Sequence, residues 1–121
     1  MRSAATNGVK LEYEARGVGK PVAFVHLSLC ADSVVTLMDQ PALEGYQLIR
    51  YHRRGHVGSS QTAGPVAIAD QVADLAGLLD SLRVRRAHVV GHSYGGLVAL
   101  QLSLDRPDLV DSPKHRAGTP I

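Results

Sequence analysis

One short segment constrains this chain more than any other: Gly91-His92-Ser93-Tyr94-Gly95, extended by Gly96. It directly follows the short buried run Ala87-His88-Val89-Val90. It opens the stretch from Ser93 to Asp105, apolar nearly all round through Leu97, Val98, Leu100, Leu102 and Leu104. A serine wedged between a buried strand and a buried helix sits on a tight turn with strained backbone angles. Bulky residues two positions away on either side would collide there, and glycines at both flanks relieve the collision. The hydroxyl then stands exposed above the sheet, and the helix that follows aims its first N–H groups at any negative charge forming nearby. The plain alternative is a Gly-rich turn around a buried serine; the flanking strand and helix argue for the strained, exposed arrangement.

The rest of the chain supplies a frame for that turn. Val9-Lys10-Leu11-Glu12-Tyr13-Glu14-Ala15-Arg16 alternates apolar and polar residues, the period of a strand with one buried face. Asn7-Gly8 before it is a hairpin signal and predicts a short partner strand within residues 2–6. Val22-Ala23-Phe24-Val25-His26 is apolar enough for a central parallel strand. Residues 33–44 read as a helix capped by Asp32 or Ser33, and Tyr46–Tyr51 as a further strand. Residues 52–64 are a Gly-rich loop. Ile68, Val72, Leu75, Leu79 and Leu82 then mark one helix face, with Asp70, Asp74 and Asp80 mostly off it. Strands alternating with helices predict an α/β fold: a mostly parallel sheet with flanking helices, five strands in all. Residues 1–110 are expected to hold that domain, and 111–121, with two prolines and almost no apolar content, a frayed tail.

Composition narrows the function classes. With 45% hydrophobic and 20% charged residues the chain is globular. Its 13 basic and 11 acidic residues are too balanced to predict nucleic acid or a membrane surface as the main partner. The single cysteine, Cys30, excludes a disulfide framework and a Cys-based zinc site; beside the turn after Val25 it reads as a packing residue. No apolar run reaches bilayer length, and the opening residues lack a signal-peptide centre, so the expected location is cytoplasmic.

Taken together, the motifs resemble the N-terminal half of the α/β-hydrolase fold family. Val89-Val90-Gly91-His92-Ser93-Tyr94-Gly95-Gly96 resembles its nucleophile elbow. Arg53-Arg54-Gly55-His56-Val57-Gly58-Ser59-Ser60 resembles its D-x-R-G-x-G-x-S loop, Val25-His26-Leu27-Ser28 its H-G-x oxyanion turn, and Asp74–Leu82 the helix before the elbow. The resemblance implies Ser93 as nucleophile of acyl transfer to water and the N–H groups of Tyr94 and Ser28 as oxyanion donors. It implies Gly91, Gly95 and Gly96 as the glycines of the elbow, His92 as a shaping residue beside it, and His26 as a turn residue bonded to loop backbone. A serine there favours ester, thioester or lactone hydrolysis, or a cofactor-free perhydrolase, over the carboxylate chemistry of epoxide hydrolases and haloalkane dehalogenases. No cofactor or metal is implied, and the substrate is a small ester or acyl compound.

Two departures carry weight. Leu27 stands where the family has glycine, and is strained if that position needs positive φ. The family's order is serine, acid, histidine, and few residues follow Ser93. Asp105 and Asp108 end the helix leading away, and His115 falls in the expected tail. The expectation is therefore a chain that lacks the acid and base and is catalytically incomplete. The alternative is a non-catalytic, partner-dependent module, because a sheet ending at Ala87–Val90 exposes an apolar edge open to a second copy or a complementing C-terminal half. His52 and His56, separated by Gly55 in a loop, do not share a helix face and are not read as a metal pair. Arg83, Arg85 and Arg86 read as a solvated helix end.

Overall fold

A computed structural model describes residues 1–62 and 64–116, with backbone alone for 112–116. Arg2–Thr6 (β1) and Val9–Arg16 (β2) form the expected hairpin. Asn7 and Gly8 at its tip have φ of 51° and 77°, the paired positive angles that let a two-residue turn follow the twist of its strands. Leu11 and Tyr13 point into the core while Lys10 faces solvent, as the period of two requires.

Lys20–Val25 (β3), Tyr46–Tyr51 (β4), Ala87–His92 (β5) and Val110–Arg116 (β6) complete a six-stranded sheet in the order β1-β2-β4-β3-β5-β6. The four later strands run parallel, and β2 joins them antiparallel through β4. β3 lies inside the parallel block and is buried on both faces. Its Ala23 and Val25 join a core formed with Ile68–Ser81 (α2) and Tyr94–Asp105 (α3). Val22 and Phe24 point the other way, against Val34, Met38 and Leu48. On α2, Val72, Leu75 and Leu79 are buried at the predicted steps of three and four. Burying each such side chain is worth about 1.5–3 kcal/mol.

Two expectations are corrected. The helix over 33–44 is only a turn, Val35–Met38 (α1), followed by a 3₁₀ turn, Pro41–Leu43. Pro41 has no N–H to continue a helix and forces Gln40 into extended backbone, φ −70° and ψ 134°. Neither Asp32 nor Ser33 caps α1; its first flanking residue is Val34.

The larger correction concerns 111–116, expected as tail, which belong to a sixth strand beside β5. Leu109 and Val110 are buried, and the Ala87 N–H donates to the Leu109 carbonyl at 2.8 Å. The strand is recruited by the unpaired backbone groups along β5, which the backbone of a neighbouring strand pairs whatever its sequence. Polar composition and a proline are ordinary in an edge strand; Pro113 lies opposite Val89, next to a register irregularity. The open edge predicted at Ala87–Val90 is therefore covered. Residues 117–121, the rest of the expected tail, lie outside the described residues.

Parallel strands place their C-terminal ends on one rim, and ligands of open α/β sheets bind beyond those ends. The turn after β3, the loop after β4 and the turn after β5 meet there.

Candidate active site

The β5–α3 junction has the geometry its sequence demands. Ser93 sits between strand and helix with φ 56° and ψ −117°, a conformation costing a non-glycine residue on the order of 1–3 kcal/mol. Its side chain is exposed, and its carbonyl accepts the Gly96 N–H at 2.8 Å. Gly91 and Gly95 have no room for a Cβ. One built on Gly91 would overlap the backbone of Gly95 and Gly96, and one on Gly95 the carbonyls of Val25 and His26. The close approach of α3 to β3 and β5 thus depends on both glycines. His92 is half-buried, with a buried Nδ1 that has no hydrogen-bond partner among the described residues.

After β3, Leu27 and Cys30 form an isolated antiparallel bridge with Ser28 and Leu29 exposed at the tip. The Leu27 N–H donates to Ser33 Oγ at 3.3 Å. Leu27 is not among the residues with positive φ, so it carries no left-handed strain. Cys30 is exposed rather than packed, which corrects its reading as a packing residue; the narrow turn points it outward.

His26 ties this turn to the next. It is fully buried. Its Nδ1–H donates to the Leu27 carbonyl at 2.6 Å, and its Nε2 accepts the Arg53 N–H at 2.9 Å. The two bonds fix the neutral tautomer and occupy both nitrogens. Burial pushes its pKa down to about 3, opposed by the bond to Leu27.

The loop after β4 is held from several sides. Arg53 is 2% exposed, donates to Ser28 Oγ at 3.0 Å and lies over the Tyr94 ring, 4.9 Å from its centroid. His52 Nδ1 meets Glu12 Oε1 at 2.8 Å and its Nε2 meets Asp32 Oδ1 at 3.2 Å. The bond from His52 holds the Glu12 carboxyl below its usual range, and the Arg50 guanidinium does the same for Asp32. His56 faces carbonyls instead: Arg53 and Arg54 through Nδ1, and Ser28 through Nε2 at 3.1 Å. Arg54 makes a two-point ion pair with Asp74.

The structure thus gathers Ser93, Tyr94, Gly91, Gly95, His26 and Ser28 at one rim. Asp105 and Asp108 lie at the far end of α3, bonded to Gln101 and Arg106. His115 is corrected from tail to β6, its backbone opposite Gly91. Sequence reading missed Arg53, the Glu12–His52–Asp32 cluster and the burial of Asp74. Asp74 had a signal: Gln71, Asp74 and Leu78 share helical spacing and form a flank of the buried face.

A family model described as alpha/beta hydrolase fold matches residues 23–112, from β3 into β6. The chain belongs to the α/β-hydrolase fold family. A Variovorax paradoxus protein named as a carbamate hydrolase, RutD, is 46% identical over 70 residues, 56% of this chain and 26% of that protein. A dihydrolipoyllysine-residue acetyltransferase component of an acetoin cleaving system from Cupriavidus necator is 32% identical over 88% of this chain and 29% of its own length. Among solved structures, Est816, an N-acyl homoserine lactone degrading enzyme, superposes with a TM-score of 0.86 at 32% identity, covering 94% of this chain and 44% of that one. The enol-lactonase of Burkholderia xenovorans gives 0.80 at 27% identity, covering 93% and 45%. The chain therefore spans less than half the length of these hydrolase-fold relatives. Among the described residues, no helix is long and apolar enough to cross a membrane.

Proposed function

We propose that this chain carries the nucleophile and oxyanion part of a serine hydrolase acting by acyl transfer to water on small ester-type substrates, including lactones. The observation that carries the reading is Ser93: exposed, held at φ 56° and ψ −117°, and flanked by two glycines that the backbone packing requires. A protein keeps strain of this kind where its surroundings over-determine it, most often at a reactive site. In this reading Ser93 attacks the acyl carbon, and the N–H groups of Tyr94 and Ser28 receive the negative charge that forms on the carbonyl oxygen. His26 braces the Ser28 turn and takes no part in proton transfer, since both its nitrogens are occupied. His92 shapes the elbow. The acid and base of such a reaction follow the nucleophile in the family's order. The names of Est816 and the enol-lactonase support a lactone or related ester, and RutD's name extends the range to carbamates. A serine at the elbow separates this chain from the carboxylate chemistry of epoxide hydrolases, although one from Mycobacterium thermoresistibile shares its fold.

The β5 edge on which the partner-dependent reading was argued is paired with β6, which itself forms the outer strand of the sheet among the described residues. The deciding experiment is labelling with a fluorophosphonate and locating the adduct by mass spectrometry. A phosphonyl group on Ser93, absent from Ser93→Ala and slowed by a competing lactone, is expected, at a rate far below that of a serine with its acid and base in place. An intact chain carrying no adduct would overturn the reading.

A further inference from the structure

Arg53 is the largest fully buried side chain among the described residues, and its charge has no carboxylate opposite it there. Its partners are instead the two halves of the site. The guanidinium donates to Ser28 Oγ from below the turn after β3, and covers the ring of Tyr94 at the start of α3. Its backbone N–H holds His26 Nε2, the histidine that braces the same turn. The buried Nε has no hydrogen-bond partner. A buried charge left without a counter-ion is costly. Simple packing would be served better by an apolar side chain of the same length, so the cation needs another explanation.

We infer that Arg53 is a positioning residue for acyl transfer: it fixes the Ser28 turn against Tyr94 and sets an uncompensated positive charge against the side chains of the two residues whose N–H groups receive the oxyanion. The inference rests on the serine-hydrolase reading above. Its physical basis is that a fixed dipole or charge in a water-poor setting stabilises developing negative charge without reorganising. A carboxylate paired with Arg53 would cancel that field; the neutral hydroxyl of Ser28 and the π-face of Tyr94 hold the guanidinium in place and leave its charge uncancelled. The planar fork also reaches both neighbours at once, which a lysine ammonium does not.

The test uses the full chain with Arg53→Lys, Arg53→Met and Arg53→Ala, and reads two quantities. The first is the rate of Ser93 phosphonylation by a fluorophosphonate. It is expected to fall about 10- to 100-fold in Arg53→Met, to fall less in Arg53→Lys, and to recover in Arg53→Ala when millimolar guanidinium is added. Rescue by the free cation is a response that a merely structural role would not give. The second is amide hydrogen exchange, expected to rise together at Ser28 and Tyr94 in Arg53→Met while the amides of β3 and β5 keep their protection. Wild-type phosphonylation in Arg53→Met, or exchange that changes at neither residue or at one alone, overturns the inference. If the wild-type chain takes no label, the hydrolase reading fails and the charge role fails with it. The exchange data then decide whether Arg53 couples the two turns.

Discussion

Arg54 and Asp74 form a two-point ion pair, Nε to Oδ2 at 2.7 Å and Nη2 to Oδ1 at 2.8 Å, that fastens the loop after β4 to the middle of α2. Asp74 is fully buried and also accepts a hydrogen bond from the Asn7 side chain at 2.9 Å. One carboxylate thus joins the β1–β2 hairpin, the loop and the helix. Removing one partner of such a pair leaves the other charge buried without compensation. Arg54→Met is therefore expected to destabilise the fold by about 3–5 kcal/mol, and Arg54→Met with Asp74→Leu by much less. Urea unfolding of the wild type and the two variants checks this; equal losses in the single and double variants would show that the pair's charge is not what matters.

The buried His26 predicts a dependence on pH. Its Nε2 accepts the Arg53 N–H, so protonating it breaks a hydrogen bond and charges a dry site. The folded-state pKa, about 3, is below the ordinary 6.5, and the unfolded chain therefore binds more protons between those values. The stability from this group is present in full above pH 6.5 and is lost as pH falls toward 3. At pH 5 the loss amounts to about 2 kcal/mol. Glu12 and Asp32 titrate below their ordinary values of 4.5 and 3.8 and contribute little at that pH. Urea midpoints of wild type and His26→Asn at pH 7 and pH 5 separate the cases: the wild type loses stability and the variant changes less.

How much of this was legible in the residues depends on whether the signal was local. The Asn7-Gly8 turn, the alternation along β2 and the glycines around Ser93 each express a constraint within a few positions, and each has its expected form. Pro41 is also local, and a stricter reading of it would have ended the helix after β3 earlier. β6 and Arg53 were different. β6 exists because β5 offers a free edge, which its own polar sequence does not reveal. Arg53 is surrounded by loop residues, and nothing in an Arg-Arg-Gly run says which arginine turns inward. That choice is made by Asp74 on one side and by Ser28 with Tyr94 on the other, neighbours distant in the chain.

The Gly-rich elbow predicts a second class of result. A methyl group at Gly95 would meet the carbonyls of Val25 and His26, which are held in the strand and turn and have nowhere to move. Gly95→Ala is therefore expected to destabilise by about 1–3 kcal/mol and to slow Ser93 labelling by shifting α3 away from the Ser28 turn. Gly45→Ala is the control for steric crowding, since a Cβ there meets nothing within 4 Å although its φ is +86°. Thermal melts and labelling rates on both variants test this. Equal labelling in the two would show that elbow packing does not set the position of Ser93.

Val57 is one of two residues where this chain departs from its own family's loop, His52 in place of the aspartate being the other. Aligning Arg54-Gly55 with the R-G of D-x-R-G-x-G-x-S puts Val57 on the second glycine, and its φ is +48°. A β-branched residue there costs about 1–2 kcal/mol more than glycine from contact between its Cβ and the backbone. Glycine returns about 0.5–1 kcal/mol of that through its freer unfolded state. The side chain is also 68% exposed, so little burial is lost by removing it. Val57→Gly is expected to raise stability by about 0.5–1 kcal/mol, read as a higher melting temperature. Val57→Ala, which keeps a Cβ at positive φ, should recover less than half of that gain. If alanine matches glycine, β-branching and not the left-handed backbone is the source of the strain. If neither variant is more stable, the loop's contacts to Glu12, Ser28 and Lys10 hold Val57 without net cost.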